Sequence, residues 1–143
     1  MNQPTCEQRI DKELESTISE LERMYYSEDE SEREEFYDYG LSFDYVSPNT
    51  FKEQEQGYFC YQLSWGGPSD EFRIYTNPDF TPHYIEYVFL DWFDGANRKC
   101  NKAEHKVIFD ICEQDFFECG AFEHAFNESG RIHYSWESSR DNE

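Results

Sequence analysis

Two cysteine–histidine pairs recur at one spacing, Cys100-x4-His105 and Cys119-x4-His124. Thiolate and imidazole are good zinc ligands. Neither spacing is that of a common zinc knuckle, and Cys112 and Cys119 fall on an apolar stripe, where cysteine acts as a small hydrophobe. We expect no metal and no other cofactor. Covalent catalysis needs a nucleophile, a base and an orienting group. His83, His105, His124 and His133 form no local signature with a nucleophile, and Ser64-Trp65-Gly66-Gly67 lacks the G-x-S-x-G elbow. Carboxylates are the most abundant reactive groups. Glu86, Asp91 and Asp94 sit on or just after one strand among Tyr and Trp, a glycosidase-like combination. With 32 acidic residues in the chain such a coincidence is expected, and we expect no enzymatic activity.

The carboxylates matter more as a field. Acidic residues number 32 against 12 basic, a net charge of −20 on 143 residues. Up to Asp38 the count is 13 acidic to 4 basic, from 39 to 99 it is 9 to 4, and the remainder holds 10 to 4. A field of one sign along the whole chain repels nucleic acid and anionic membranes and attracts basic protein surfaces. Duplex DNA carries one charge per roughly 1.7 Å of axis. A fold that fixes carboxylates in rows copies that field, and preorganisation spares the ordering cost of a flexible acidic tail. The candidate partner-binding acids are Asp11, Glu15 and Glu22 on a first helix, then Glu28, Asp29, Glu30, Glu34, Glu35 and Asp38 in the run that follows. Asp70 and Glu71 in a Gly-Pro turn, and Asp91 and Asp94 at a strand end, complete the set. The competing reading is an ordinary solvated surface, since Arg9, Lys12, Arg23 and Arg33 are interleaved with these acids and exposed ion pairs contribute little.

The elements that position these groups follow from periodicity. Aromatic residues, 13 Phe, 11 Tyr and 3 Trp, supply a core that disordered acidic chains lack, so 1–143 reads as one folded domain. Ile10, Leu14, Ile18, Leu21 and Tyr25 place one apolar face on a helix over 5–26, with Thr5 at its cap. Residues 27–38 read as an acidic linker or polar helix end. Alternation over 39–95 predicts a β-meander with breaks at Ser47-Pro48-Asn49, Gly66-Gly67-Pro68 and Asn77-Pro78. His83 to Phe93 is apolar on both faces, which predicts an inner strand covered on both sides; Asp94-Gly95 ends it and Asn97-Arg98-Lys99 links onward. Helices follow over 101–127, the first running to Gly120 with Ile108, Ile111, Cys112, Phe116 and Cys119 on its stripe. A polar tail over 129–143 holds alternating Ile132, Tyr134 and Trp136 that suit an edge strand. The fold class is α+β: an N-terminal helix, an about four-stranded, mostly antiparallel sheet, and a C-terminal helix plus a short helix in a two-layer sandwich.

The five cysteines are odd in number with no C-x-x-C pair, the first residues lack the apolar run of a secretory signal, and no stretch reaches a membrane span. Reduced thiols in a cytoplasm are the simplest reading. The chain is expected to be a monomer or a homodimer; Leu14 to Tyr25 fits a coiled-coil seam of only two heptads.

The stretches YGLSFDYV (39–46), GYFCYQLSWGGPSDEFRIY (57–75) and IEYVFLDWFDGA (85–96) resemble a family of small acidic proteins of bacterial plasmids, integrative elements and phages. SWGGPSDEF and LDWFDG are the distinctive parts. The resemblance implies counter-defence in a bacterial host cell: an anti-restriction or anti-CRISPR inhibitor that mimics DNA. Its partner would be a basic nucleic-acid-binding protein, such as a CRISPR effector or restriction enzyme, with no direct contact to nucleic acid or membrane. The alternative is a protein-binding module anchored by surface aromatics such as Trp65 or Trp92. A small hydrolase using Asp91 or Asp94 is the third reading.

Overall fold

In the computed structural model, which describes residues 4–117 and 119–128, the apolar period of the first segment forms helix α1 over Cys6–Tyr25. Thr5 and Gln8 close a reciprocal capping box at its start, satisfying two otherwise orphaned amides. Ile10, Leu14, Ile18 and Leu21 are buried along one face.

The acidic run is not a linker. Helix α2 spans Glu30–Tyr39. Asp29 caps it by accepting from the amides of Ser31 and Glu32, and Glu30 and Glu32 sit where the helix dipole favours negative charge. Phe36 is its one buried side chain, packed edge-on against Tyr25 with ring centroids 5.1 Å apart. A helix held by a cap, one buried ring and Tyr39 half-buried at its end shows no amphipathic period.

Five strands follow: β1 Ser42–Val46, β2 Tyr58–Ser64, β3 Pro68–Thr76, β4 Pro82–Asp91 and β5 Asp94–Lys99. They pair antiparallel in sequence order. The fifth strand corrects the expected count. Asp94-Gly95 begins β5 instead of ending a strand, and Arg98 and Lys99 belong to it. Asp91 pairs with Asp94 across a two-residue turn, so Trp92 and Phe93 form the tip of a hairpin and not the end of a strand.

One face of the sheet carries Phe59, Tyr61, Phe72, Ile74, Ile85, Tyr87 and Phe89 into a single core with the apolar faces of α1 and α3. That core holds a cluster of aromatic rings: those of Phe43, Phe59 and Phe122 stand 4.7 to 5.7 Å apart. The other face is not covered by any described helix, which corrects the expectation for β4. Tyr58 and Val88 are nevertheless buried on that face. The Arg73 guanidinium lies over the Tyr58 ring at 4.9 Å, and the Lys99 ammonium over Tyr84 at 5.1 Å.

Helix α3, Lys102–Ile111, is capped by Asn101 and passes into a π-helical turn over Cys112–Phe117. The expected continuous helix to Gly120 is therefore broken. The wider turn carries Cys119 off the stripe that α-helical spacing gives it, and Cys119 is exposed while Cys112 is buried. Gly120 adopts a left-handed φ of 78°, and a last helix over 121–128 buries Phe122 and Ala125. Phe126, expected to face inward, is partly exposed over the rings of Tyr45 and Phe80. The polar tail and its expected edge strand lie outside the described residues. No helix of the described residues is long and apolar enough to cross a membrane.

Candidate protein-binding surface

The acidic surface is built on α1 and α2, held together by Arg23. Its Nη1 donates to Glu32 at 2.9 Å, and its Nη2 donates to Glu20 at 3.0 Å and Glu35 at 2.9 Å. Hydrogen bonds to Glu35, Glu20 and Glu32 raise the guanidinium pKa further, so the clamp stays charged at every accessible pH. Glu35 is thereby committed to internal pairing. Asp29 is committed to capping, and its bonds from Ser31 and Glu32 lower its carboxyl pKa.

What remains outward on α2 is a stripe. Glu30, Glu34 and Asp38 recur every four residues on the side opposite Phe36, all exposed and without an ion pair among the described residues. Each step rises about 6 Å along the axis. Glu28 extends the row into the α1–α2 connection and is also exposed.

Asp11, Glu15 and Glu22 fall by helical spacing on one flank of α1, away from the flank whose Glu20 and Arg23 meet α2. Glu15 and Glu22 are exposed and unpaired among the described residues. Asp11 is drawn toward β5, where Arg98 Nε lies 3.3 Å away without hydrogen-bond geometry; Arg98 Nη2 donates to Glu7 at 3.1 Å. Lys12, Ser16 and Ser19 occupy the crest between the flanks. The two rows therefore flank a crest of mixed polarity and do not fuse into one ridge.

The four acids expected from the sheet are not part of this surface. Asp70 points into the core side, where it accepts from Tyr87 Oη at 2.6 Å and from Ser64 Oγ. Tyr87 Oη is also 3.5 Å from Thr17 Oγ1 on α1, so the carboxylate anchors helix to sheet. Burial first, then this bond to Asp70, pushes the Tyr87 phenol pKa up. Glu71 lies on the opposite face of the sheet, accepting from Cys60 Sγ at 3.2 Å and Arg73 Nε at 3.0 Å. Asp91 pairs with Arg9 Nη1 at 2.6 Å. Asp94 accepts from the Cys6 amide at 2.8 Å and the Gly95 amide at 2.9 Å, and the Cys6 bond lowers its carboxyl pKa. Asp91 and Asp94 thus fasten the β4–β5 hairpin to the start of α1. These partners are remote in sequence, so only the fold reveals that the carboxylates are already engaged.

The Asp70 network gives a direct stability test. Tyr87→Phe removes the donor to a partly buried carboxylate and is expected to cost about 1.5–3 kcal/mol. Urea denaturation reads this; a variant as stable as the parent would show that water replaces the phenol.

Other chemistry finds less support in geometry. Glu86 lines a cavity of about 460 Å³ with Glu53, Glu55 and His83, which Asp91 and Asp94 do not line. The hydrolase reading needs two acids converging in one pocket, and Glu86 shares this cavity with neither Asp91 nor Asp94. Cys100 and Cys112 are buried, and among the described residues no three His, Cys, Asp or Glu side chains group to hold a metal ion. The sequence reading missed Arg23 as the clamp; a lone Arg flanked by acids at i−3 on its own helix and in the next acidic run was the available signal.

No family model matches this chain, and no curated protein or solved structure shows significant similarity to it.

Proposed function

We propose that the protein is a non-enzymatic inhibitor. It binds the nucleic-acid cleft of a bacterial defence protein, a CRISPR effector or restriction enzyme, through the carboxylate rows of α1 and α2. The observation that carries this reading is the Glu30–Glu34–Asp38 stripe on a helix anchored by Phe36 and bridged to α1 by the exposed ion pairs of Arg23. Its charges are fixed in space before binding, so little ordering entropy is lost on contact. One stripe is sparser than duplex DNA, about 6 Å per charge against 1.7 Å of axis. The row on α1 adds a second line, and together they offer a basic cleft a short backbone-like footprint. The resemblance to acidic proteins of mobile elements agrees with such a role.

The experiment is binding to a panel of purified CRISPR effector complexes and restriction enzymes, with a salt titration and duplex DNA as competitor. Binding is expected to weaken steeply with salt and to be displaced by DNA. The combined Glu30→Lys, Glu34→Lys and Asp38→Lys variant should weaken it by about tenfold or more, beyond any single change. Binding unaffected by the triple reversal would remove α2 from the interface.

A further inference from the structure

Exposed apolar side chains gather at one end of the sheet. Because the strands alternate in direction, the start of β1, the β2–β3 turn and the β4–β5 turn all lie at this end. Trp65, Trp92 and Phe93 occupy the two turns, and all three are exposed; Leu41 and Leu90 lie beside them on opposite faces of the sheet. Trp92 is 83 % exposed and Phe93 is 105 % exposed, and neither ring stacks on another among the described residues. Isolated exposed hydrophobes need no explanation, but two adjacent exposed rings at one hairpin tip, with a third in the neighbouring turn, call for one.

The backbone supports the same conclusion. Trp92 is the first central residue of a two-residue hairpin turn and adopts φ 60°. Glycine is the usual occupant of that position, because a bulky side chain there is strained. Glycine stands instead at 95, where an added Cβ would lie 2.6 Å from Leu90 Cδ2; its absence lets Leu90 fold over the turn. The hairpin is also rigid at its base, held by Asp91 to Arg9 and by Asp94 to the start of α1. A strained residue on a braced support, carrying an exposed indole, is the arrangement of a preorganised anchor.

We propose that this end of the sheet is a docking surface for a partner protein that presents an apolar cleft bordered by basic side chains. The aromatic tip supplies the buried contact. Of the two acids at its base, Arg9 answers Asp91, while Asp94 is exposed and has no ion pair among the described residues, so the complementary border is cationic. The same charge argues against a second copy of this chain, which would set two acidic ends and two net charges of −20 against each other. It argues equally against an anionic membrane.

The test is photo-crosslinking in extract of the source cells, with p-benzoylphenylalanine replacing Phe93 in the full chain. A control chain carries it at Phe51, exposed in the loop at the opposite end of the sheet. The expected result is an adduct from position 93 and not from position 51. Its crosslinked peptide should be apolar and should lie beside Lys or Arg. Trp92→Gly in the same chain should cut that adduct at least tenfold. This variant relieves the strained φ, so its melting temperature should hold or rise, and lost docking is then not lost folding. It leaves Glu30, Glu34 and Asp38 untouched, which separates this surface from the stripe on α2. Equal adducts from both positions, an adduct to a second copy of the chain, an adduct unchanged by Trp92→Gly, or binding of the intact protein to phosphatidylcholine vesicles would each overturn the proposal.

Discussion

Above pH 9 the protein is expected to lose stability steeply and to unfold before pH 12. Free thiols and phenols titrate near 9.0 and 10.0, but burial pushes Tyr58 and Cys100 up to about 12 in the folded chain. Tyr61, Tyr87, Cys60 and Cys112 are raised as well, each mainly by burial. The sign follows from proton counting. Between the unfolded and folded pKa values the unfolded chain has released protons that the folded chain still holds. Stability is therefore complete below the unfolded values and falls as pH rises through the folded ones. Each unit of displacement is worth about 1.4 kcal/mol per group, so Tyr58 and Cys100 alone remove on the order of 5 kcal/mol by pH 12. That is comparable to the whole stability of an ordinary domain. New phenolates also add to a charge that is already −20, which opposes the compact state further. A titration followed by circular dichroism and phenolate absorbance should show both changing together in one cooperative step. Gradual phenolate formation with intact helix and sheet signals would mean that water reaches these groups in the folded state.

The same aromatic residues explain how much of the fold could be read in advance. The first helix was legible because five apolar residues at steps of four and three, with Thr5 before them, left one consistent solution; 5–26 became Cys6–Tyr25. Strands β2 and β3 were legible because Phe59, Tyr61, Phe72 and Ile74 alternate with polar residues around a Gly-Gly-Pro turn. β5 was not, because it is an edge strand with Asn97 and Lys99 on its open side, and the residues that turn toward the helices, Asp94, Ala96 and Arg98, include no large apolar side chain. Trp92 and Phe93 misled for the opposite reason. Large aromatics after an apolar strand read as its continuation, whereas the sheet turns at Asp91 and leaves both rings outside. The candidate site was half legible. Carboxylates repeating every four residues can be seen in the run 28–38, but the engagement of Asp70 by Tyr87 and of Asp91 by Arg9 depends on contacts 17 and 82 residues apart. Periodicity carries no information about such pairs.

Replacing Phe36 by alanine should detach α2 while leaving the sheet and α1 folded. Phe36 is the only buried residue of that helix, and its ring meets Tyr25. A buried Phe→Ala substitution costs about 3–5 kcal/mol. Ten residues cannot sustain a helix by propensity alone, since segments shorter than about 12–15 residues are marginal in water without tertiary contact. Arg23 does not rescue the docking, because its carboxylate partners are surface groups whose pairing is screened. Amide exchange over Glu30–Tyr39 should therefore approach that of an unstructured peptide, while β2, β3 and β4 keep their protection. The variant keeps every carboxylate, so its net charge is unchanged, but Glu30, Glu34 and Asp38 no longer share one face. If the fixed stripe is what a basic cleft recognises, affinity should fall by about tenfold or more as the ordering cost of a flexible acidic segment returns. If net charge alone drives binding, affinity should match the parent. This comparison separates a shaped acidic surface from a merely acidic protein, because the two readings share the same composition and differ only in whether α2 holds its charges in place.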